Sequence, residues 1–178
     1  NPELTSPTLT EAGLVLRGFV ERVGDPVPLV AADGSPHRGE VLVAEALGAM
    51  ARSVDDGQPL STIVVAVPAH WGAGAVGALR GALRTVPALS PDGVPPTLVS
   101  DATTALAALQ ADPGLPGTGV VALCDFGASG TNITLVDAGA NLAPIGETVH
   151  FAEFSGEQID QALQVDRQAP DGGDEIRP

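Results

Sequence analysis

Residues 120–137 read VVALCDFGASGTNITLVD, and their interpretation decides how the rest of the chain is understood. Val120, Val121, Ala122, Leu123 and Cys124 form an unbroken apolar run that closes on Asp125, the pattern of a buried strand. Gly127, Ala128, Ser129 and Gly130 make a small-residue turn, and Thr131 to Asp137 supplies a second strand rich in β-branched residues. The reading is a hairpin with a carboxylate at its mouth. A turn without bulky side chains lets an anion approach the backbone, and glycines at positive φ point successive N–H groups into one concavity. The plain alternative for the same residues is a hairpin with a glycine turn and no ligand.

Working outward, Ala111 to Gly119 (ADPGLPGTG) is a Pro- and Gly-rich connector, preceded by a helix from Asp101 (DATTALAAL) and a short strand, Thr97 to Ser100. Asp101 opens that helix and is read as its N-cap. Ser61 to Val67 (STIVVAV) is a buried strand. Beyond it, Val76, Leu79, Leu83 and Val86 fall on one helical face, despite Gly72, Gly74, Gly77 and Gly81, whose number suggests tight packing against a sheet. His70 and Trp71 lie between the two. His70 has no second metal-binding residue at a suitable spacing and is not read as a ligand. Further upstream, Phe19 to Val23 and Val27 to Val30 read as strands joined through Gly24-Asp25-Pro26. Ser35-Pro36 is a helix start, with Val43, Leu47, Met50 and Val54 on the inner face of a helix ending near 55–57. Asn1 to Glu11 is an extended lead-in. Downstream, Ala138 to Asn141 is a turn, Leu142 to Val149 a third strand and Phe154 to Asp160 the approach to a helix. Beyond Leu163 the periodicity fades into a charged, flexible tail, 165–178.

The chain has 178 residues, with 22 acidic against 8 basic side chains and a formal net charge of -14. Nucleic acid and anionic membrane surfaces are excluded as partners by that field, although one local pocket can still hold a nucleotide. A single cysteine, Cys124, rules out an intramolecular disulfide and reads as a small buried hydrophobe. There is no apolar run of membrane-span length and no leader, which points to the cytoplasm. Abundant Ala, Gly and Pro without tyrosine is the composition of GC-rich genomes.

The run Asp125-Phe126-Gly127-Ala128-Ser129-Gly130-Thr131-Asn132-Ile133-Thr134 resembles the second phosphate loop of the actin, Hsp70 and sugar kinase superfamily, whose Hsp70 form is D-L-G-G-G-T-F-D-V-S. VVAVPAHWGAGAVGALRGAL (64–83) is similar to the Hsp70 pattern in which V-P-A-Y-F precedes a helix, with His70 and Trp71 in the aromatic places. Asp101-Ala102-Thr103-Thr104-Ala105 resembles E-P-T-A-A, and Phe154 to Asp160 resembles L-G-G-E-D-F-D. Gly13 to Leu163 thus looks like the middle of a divergent Hsp70-type nucleotide-binding domain.

The resemblance implies an α/β, RNase H-like (actin-like ATPase) fold, with residues 1–118 in a first lobe and 119–164 opening a second. It implies ATP or ADP with Mg2+ as cofactors. Asp125 would be the catalytic group orienting water, and Gly127, Ala128, Ser129, Gly130 and Thr131 would contact phosphate. Asp101 and Asp125 would hold the magnesium through water from opposite lobes. Activity would be that of a nucleotide-dependent chaperone or switch, with a possible protein partner. The departures weigh against catalysis: Ser129 replaces a loop glycine, Gly130 stands at a phosphate-contacting Thr, Asn132 replaces the second loop Asp, and the first phosphate loop, the catalytic lysine and the adenosine pocket have no counterpart. Phosphoryl transfer leans on lysine and magnesium to neutralise charge. The alternative is a pseudo-ATPase used as an interaction scaffold.

Overall fold

A computed structural model describes residues 13–54 and 62–168. Expectations for 1–11, for the helix stop at 55–57, for Ser61 and for 169–178 lie outside them. The described residues are mixed α/β, with eight strands, four α-helices and one 3-10 turn. Among them no helix is long and apolar enough to cross a membrane. The chain divides into two compact units, Asn1–Val67 with Trp71–Val99, and Pro68–His70 with Ser100–Pro178. The division falls ahead of the helix at Asp101 because that helix packs on the strand at Val120.

In the N-terminal unit, β1 (Leu29–Val30) pairs antiparallel with β2 (Pro36–His37). The expected strand at Phe19 to Val23 is instead a pair of turns, with Arg22 N–H donating to Phe19 O and Val23 N–H to Val20 O, both at 3.2 Å. Ser35-Pro36 does not start a helix. Pro36 enters β2, and α1 begins at Gly39 and runs to Val54. Gly39 is demanded by packing, since a Cβ there would stand 2.6 Å from the Arg22 carbonyl carbon and 2.7 Å from Phe19 O.

The inner face of α1 also differs from expectation. Glu40, Ala44, Gly48 and Ala51 are buried, whereas Met50 and Val54 are exposed, with Val43 and Leu47 partly covered. Small residues line the seam because α1 and α2 (Ala73–Leu83) pack closely. β3 (Val64–Val67) pairs with β4 (Thr97–Ser100). Val65, Val67, Leu79, Leu83 and Val86 join the seam in one apolar core, as the periodicity of 76–86 predicts. The glycines of α2 do not serve that packing: Cβ atoms at Gly72, Gly74, Gly77 and Gly81 would meet open space.

The C-terminal unit carries α3 (Asp101–Ala111), β5 (Val120–Phe126), β6 (Thr131–Asp137), β7 (Ala143–Pro144), β8 (Val149–Phe151) and α4 (Gly156–Gln168). The β5–β6 hairpin is formed with the expected bounds, and β6 also pairs with β7 and β8. The single third strand expected over Leu142 to Val149 is broken into two. Asn141 (φ 56°), Leu142 (φ 59°) and Gly146 (φ 74°) have left-handed backbone that an extended strand cannot contain. The tail expected from residue 165 is helical as far as Gln168. β5 is an outer strand, and Cys124 is exposed on it, not buried as its apolar neighbours suggest.

Gly48 gives a test of the helix seam. Alanine for glycine in an open helix interior stabilises by about 1 kcal/mol. Here the new methyl would lie 2.6 Å from Val86 Cγ1. Gly48→Ala is therefore expected to lower the unfolding free energy by about 1–3 kcal/mol through overpacking. In a Val86→Ala background the same change should become neutral or stabilising, as read from urea melts of the four proteins in the cycle.

Candidate functional site

The seven pairs of the hairpin run from Val120 opposite Asp137 to Phe126 opposite Thr131, leaving residues 127–130 as the loop. Asp125 is opposite Asn132 and exposed. Asp101 is the first residue of α3, but the cap is Ser100, whose Oγ accepts from Thr103 N–H at 3.4 Å. This corrects the reading of Asp101 as N-cap. Its Oδ1 instead accepts two backbone N–H groups, Ala102 at 2.6 Å and Ala69 at 2.9 Å, while Oδ2 has no partner among the described residues.

Asp101 and Asp125 line the same cavity of about 260 Å3, together with Ala69, Asn132, Thr134 and apolar atoms of Ala105 and Leu123. All of these residues belong to the C-terminal unit. The two carboxylates are thus brought together within one unit, not presented from two. Cys124 also borders the cavity.

The loop faces elsewhere. Gly127 and Thr131 line a second cavity, of about 350 Å3, with Phe126, Glu153, Phe154 and Ile159. Neither loop glycine has the positive φ expected of an anion nest. Their small size serves close approach. Gly127 N–H donates to Gly130 O at 2.8 Å, and a Cβ on Gly130 would collide with His150 Cε1 and lie 2.7 Å from its Nε2. Thr131 is buried and its hydroxyl donates to Phe154 O at 2.6 Å. The loop carbonyls are taken by α4: Gly156 N–H donates to Gly127 O and Glu157 N–H to Ala128 O, both at 3.0 Å, and Gln158 N–H donates to Ser155 Oγ at 3.3 Å. The N-terminal amides of α4, the ordinary place for an anion, are therefore occupied. Ala128 and Ser129, both exposed, keep backbone N–H groups with no acceptor among the described residues.

One pair of residues at the site was not anticipated. His70 stacks on His150 of β8, ring centroids 4.4 Å apart and planes at 26°. His150 Nδ1 shares a hydrogen bond with Asn132 Oδ1 at 2.8 Å. Burial, and then the charge of His150, hold the His70 pKa below its ordinary value, against the opposing pull of Asn132 and of Asp101. Its Nδ1 is buried without a hydrogen bond. Sequence spacing gave no sign of the pair, since His70 lies between β3 and α2 while His150 lies on β8.

Asp101 and Asp125 suit a hydrated magnesium, which keeps several waters and needs only one or two carboxylates from the protein. Direct ligation is not supported, because among the described residues no group of three His, Cys, Asp or Glu side chains converges. The chain contains no lysine, all eight basic residues being arginine. No protein-family model and no curated protein matches this sequence.

The depressed His70 pKa carries a sign. Below the ordinary value of 6.5 the unfolded chain binds a proton that folded His70 resists, so this residue's contribution to stability is present at higher pH and lost as pH falls through that value. Urea midpoints measured from about pH 7.5 to about pH 5 should fall more steeply for the wild type than for His70→Phe, the common carboxylate contributions cancelling in the difference.

Proposed function

We propose that this chain is part of a divergent Hsp70-type nucleotide-binding domain with an RNase H-like, actin-like fold, and that it binds ATP or ADP with Mg2+ to act as a nucleotide-dependent switch or chaperone. The observation that carries the reading is the cavity shared by Asp101 and Asp125, each with carboxylate oxygen unengaged among the described residues. Two carboxylates on one wall repel, and a hydrated divalent cation relieves that repulsion. The cation would join the protein to phosphate oxygens, and the exposed N–H groups of Ala128 and Ser129 are donors for the same anion. When bound, the metal supplies charge neutralisation. The protein's part is to fix the two carboxylates, Asp101 through backbone N–H donors and Asp125 through strand pairing with Asn132.

Catalysis is a separate matter. No lysine is present to neutralise developing charge. Efficient hydrolysis is not expected of this chain. The scaffold reading is favoured by a different observation: the loop borders the apolar cavity, where Phe126 and Phe154 are 78% and 68% exposed, and not the cavity of the carboxylates.

Calorimetric titration separates the two. With Mg-ATP and Mg-ADP the wild type should bind, and Asp101→Asn and Asp125→Asn should each weaken binding by about tenfold, or ~1.4 kcal/mol. In EDTA the two variants should match the wild type, because the carboxylates act through the metal. Steady ATP turnover should be undetectable in all three. A wild type that takes up neither nucleotide, or variants that bind Mg-ATP as well as it does, removes the nucleotide reading and leaves the scaffold.

A further inference from the structure

The sheet of the C-terminal unit turns its polar face to a helix and its apolar face to solvent. Side chains alternate along each strand, so the register places Asp125, Asn132, Thr134 and His150 on one face and Val120, Phe126, Leu135 and Val149 on the other. The first face looks onto Ala102 and Ala105 of α3 across the carboxylate cavity. On the second face all four apolar side chains are exposed. An antiparallel sheet with one solvated face ordinarily turns its polar residues outward, and the order here is reversed. An apolar surface left open in this way marks a place of contact.

At the hairpin tip this face meets α4. Phe126 and Thr131 on the sheet side, with Phe154, Ile159 and Ala162 on the helix side, line the apolar cavity of about 350 Å3. Ile159, Ala162 and Leu163 follow the i, i+3, i+4 spacing of one helical stripe. Ile159 and Leu163 are exposed, although the first turn of α4 is bonded to the hairpin. The rim of the groove is acidic: Glu153 lines the cavity, and Glu157 and Asp160 are exposed on the first turns of α4. From Thr85 to Asp166 the sequence has no lysine or arginine. Carboxylates around an apolar groove attract a partner that carries positive charge beside its apolar residues. They oppose a second copy of this chain, which brings the same rim and a net charge of -14. The element that covers the apolar face of a sheet is typically a helix, as α3 covers the other face here.

We propose that the groove between the open face of the β5–β6 hairpin and α4 is a docking site for a basic amphipathic helix of another protein. The apolar stripe of that helix sits on Phe126, Phe154 and Ile159, and its Lys or Arg side chains lie level with Glu153, Glu157 and Asp160. This names a partner for the scaffold reading and rests on it, and is independent of whether the carboxylate cavity takes nucleotide.

The probe is a synthetic helix of about five turns, with Leu recurring at i, i+3, i+4 and i+7 and Lys on the opposite face. It is titrated against the whole chain by fluorescence anisotropy at about 0.15 M salt. Two control peptides accompany it, one of the same composition shuffled so that no stripe forms, the other with the same stripe and Glu in place of Lys. The Lys peptide should bind about tenfold more tightly than either control, and its affinity should fall as salt rises. Phe126→Ser and Ile159→Ser should each weaken it by about tenfold. Both side chains are exposed, so neither change opens the core. Glu153→Gln combined with Asp160→Asn should weaken binding and flatten its salt dependence. A Glu peptide that binds as well as the Lys peptide overturns the basic partner and leaves the scaffold reading standing. A shuffled peptide that equals the Lys peptide, serine variants that bind as the wild type does, or no binding by any peptide overturns the docking site and the scaffold reading with it. Sedimentation of the protein alone covers the other occupant: a wild-type dimer that Phe126→Ser dissociates gives the face to a second copy and overturns the proposal.

Discussion

Seven cross-strand pairs, from Val120–Asp137 to Phe126–Thr131, set the positions of Asp125 and Asn132 in the C-terminal unit. Side chains alternate faces with a period of two, so a slip of one residue would carry Asp125 to the opposite face of the hairpin. The register is fixed on the inner strand. β6 is hydrogen-bonded on both sides, to β5 and to β7 and β8, and buries Thr131, Thr134 and Val136. Two of those three are polar, and both have partners: Thr131 donates to Phe154 O, and Thr134 shares a 2.8 Å hydrogen bond with Thr148. A buried hydroxyl that loses its partner costs about 1–3 kcal/mol, so these bonds oppose slippage as strongly as apolar packing does.

The two units are stabilised by different means. The N-terminal one has a continuous apolar core in which Leu79 and Leu83 are almost wholly buried, and its helices approach over small residues. The C-terminal one buries few apolar side chains, chiefly Ala102, Leu106 and Val136, and relies on strand pairing and on side chains bonded to backbone. Its groups are for that reason more exposed to solvent and to titration, and the carboxylates and histidines of the site are drawn from it.

Much of this was legible from the residues. The hairpin bounds, the second half of the strand expected over 61–67, the strand at 97–100 and the apolar face of 76–86 follow from period and β-branching, which are local signals. What failed was decided by contacts distant in sequence. The buried stripe of α1 is mostly Ala and Gly where Met50 and Val54 looked the better core residues, and at Gly48 it is Val86 that leaves no room for a larger side chain. Cys124 sits in an apolar run yet is exposed, since nothing among the described residues covers its side of β5. Asp125 and Asp101 were legible as carboxylates at element ends, but the reading set them in opposite lobes, whereas one unit carries both. The phosphate-loop geometry was not, since glycine at 127 and 130 is explained by tight contact and not by φ. The His70–His150 stack joins residues on different elements, and no pattern along the chain announces it.

The hydrogen bonds from Gly156 and Glu157 to the loop carbonyls have one more consequence. A helix is stiff along its axis, and its first turn is here clamped to two successive peptide groups of the hairpin tip. Rotating the 127–128 peptide planes breaks both clamps together, so the tip cannot be rearranged while α4 stays where it is. The loop and the helix form one mechanical element, in which α4 is the pointer and the hairpin tip its pivot. Whatever contacts the tip is thereby registered along the length of the helix, without a hinge and without any further residue to relay it.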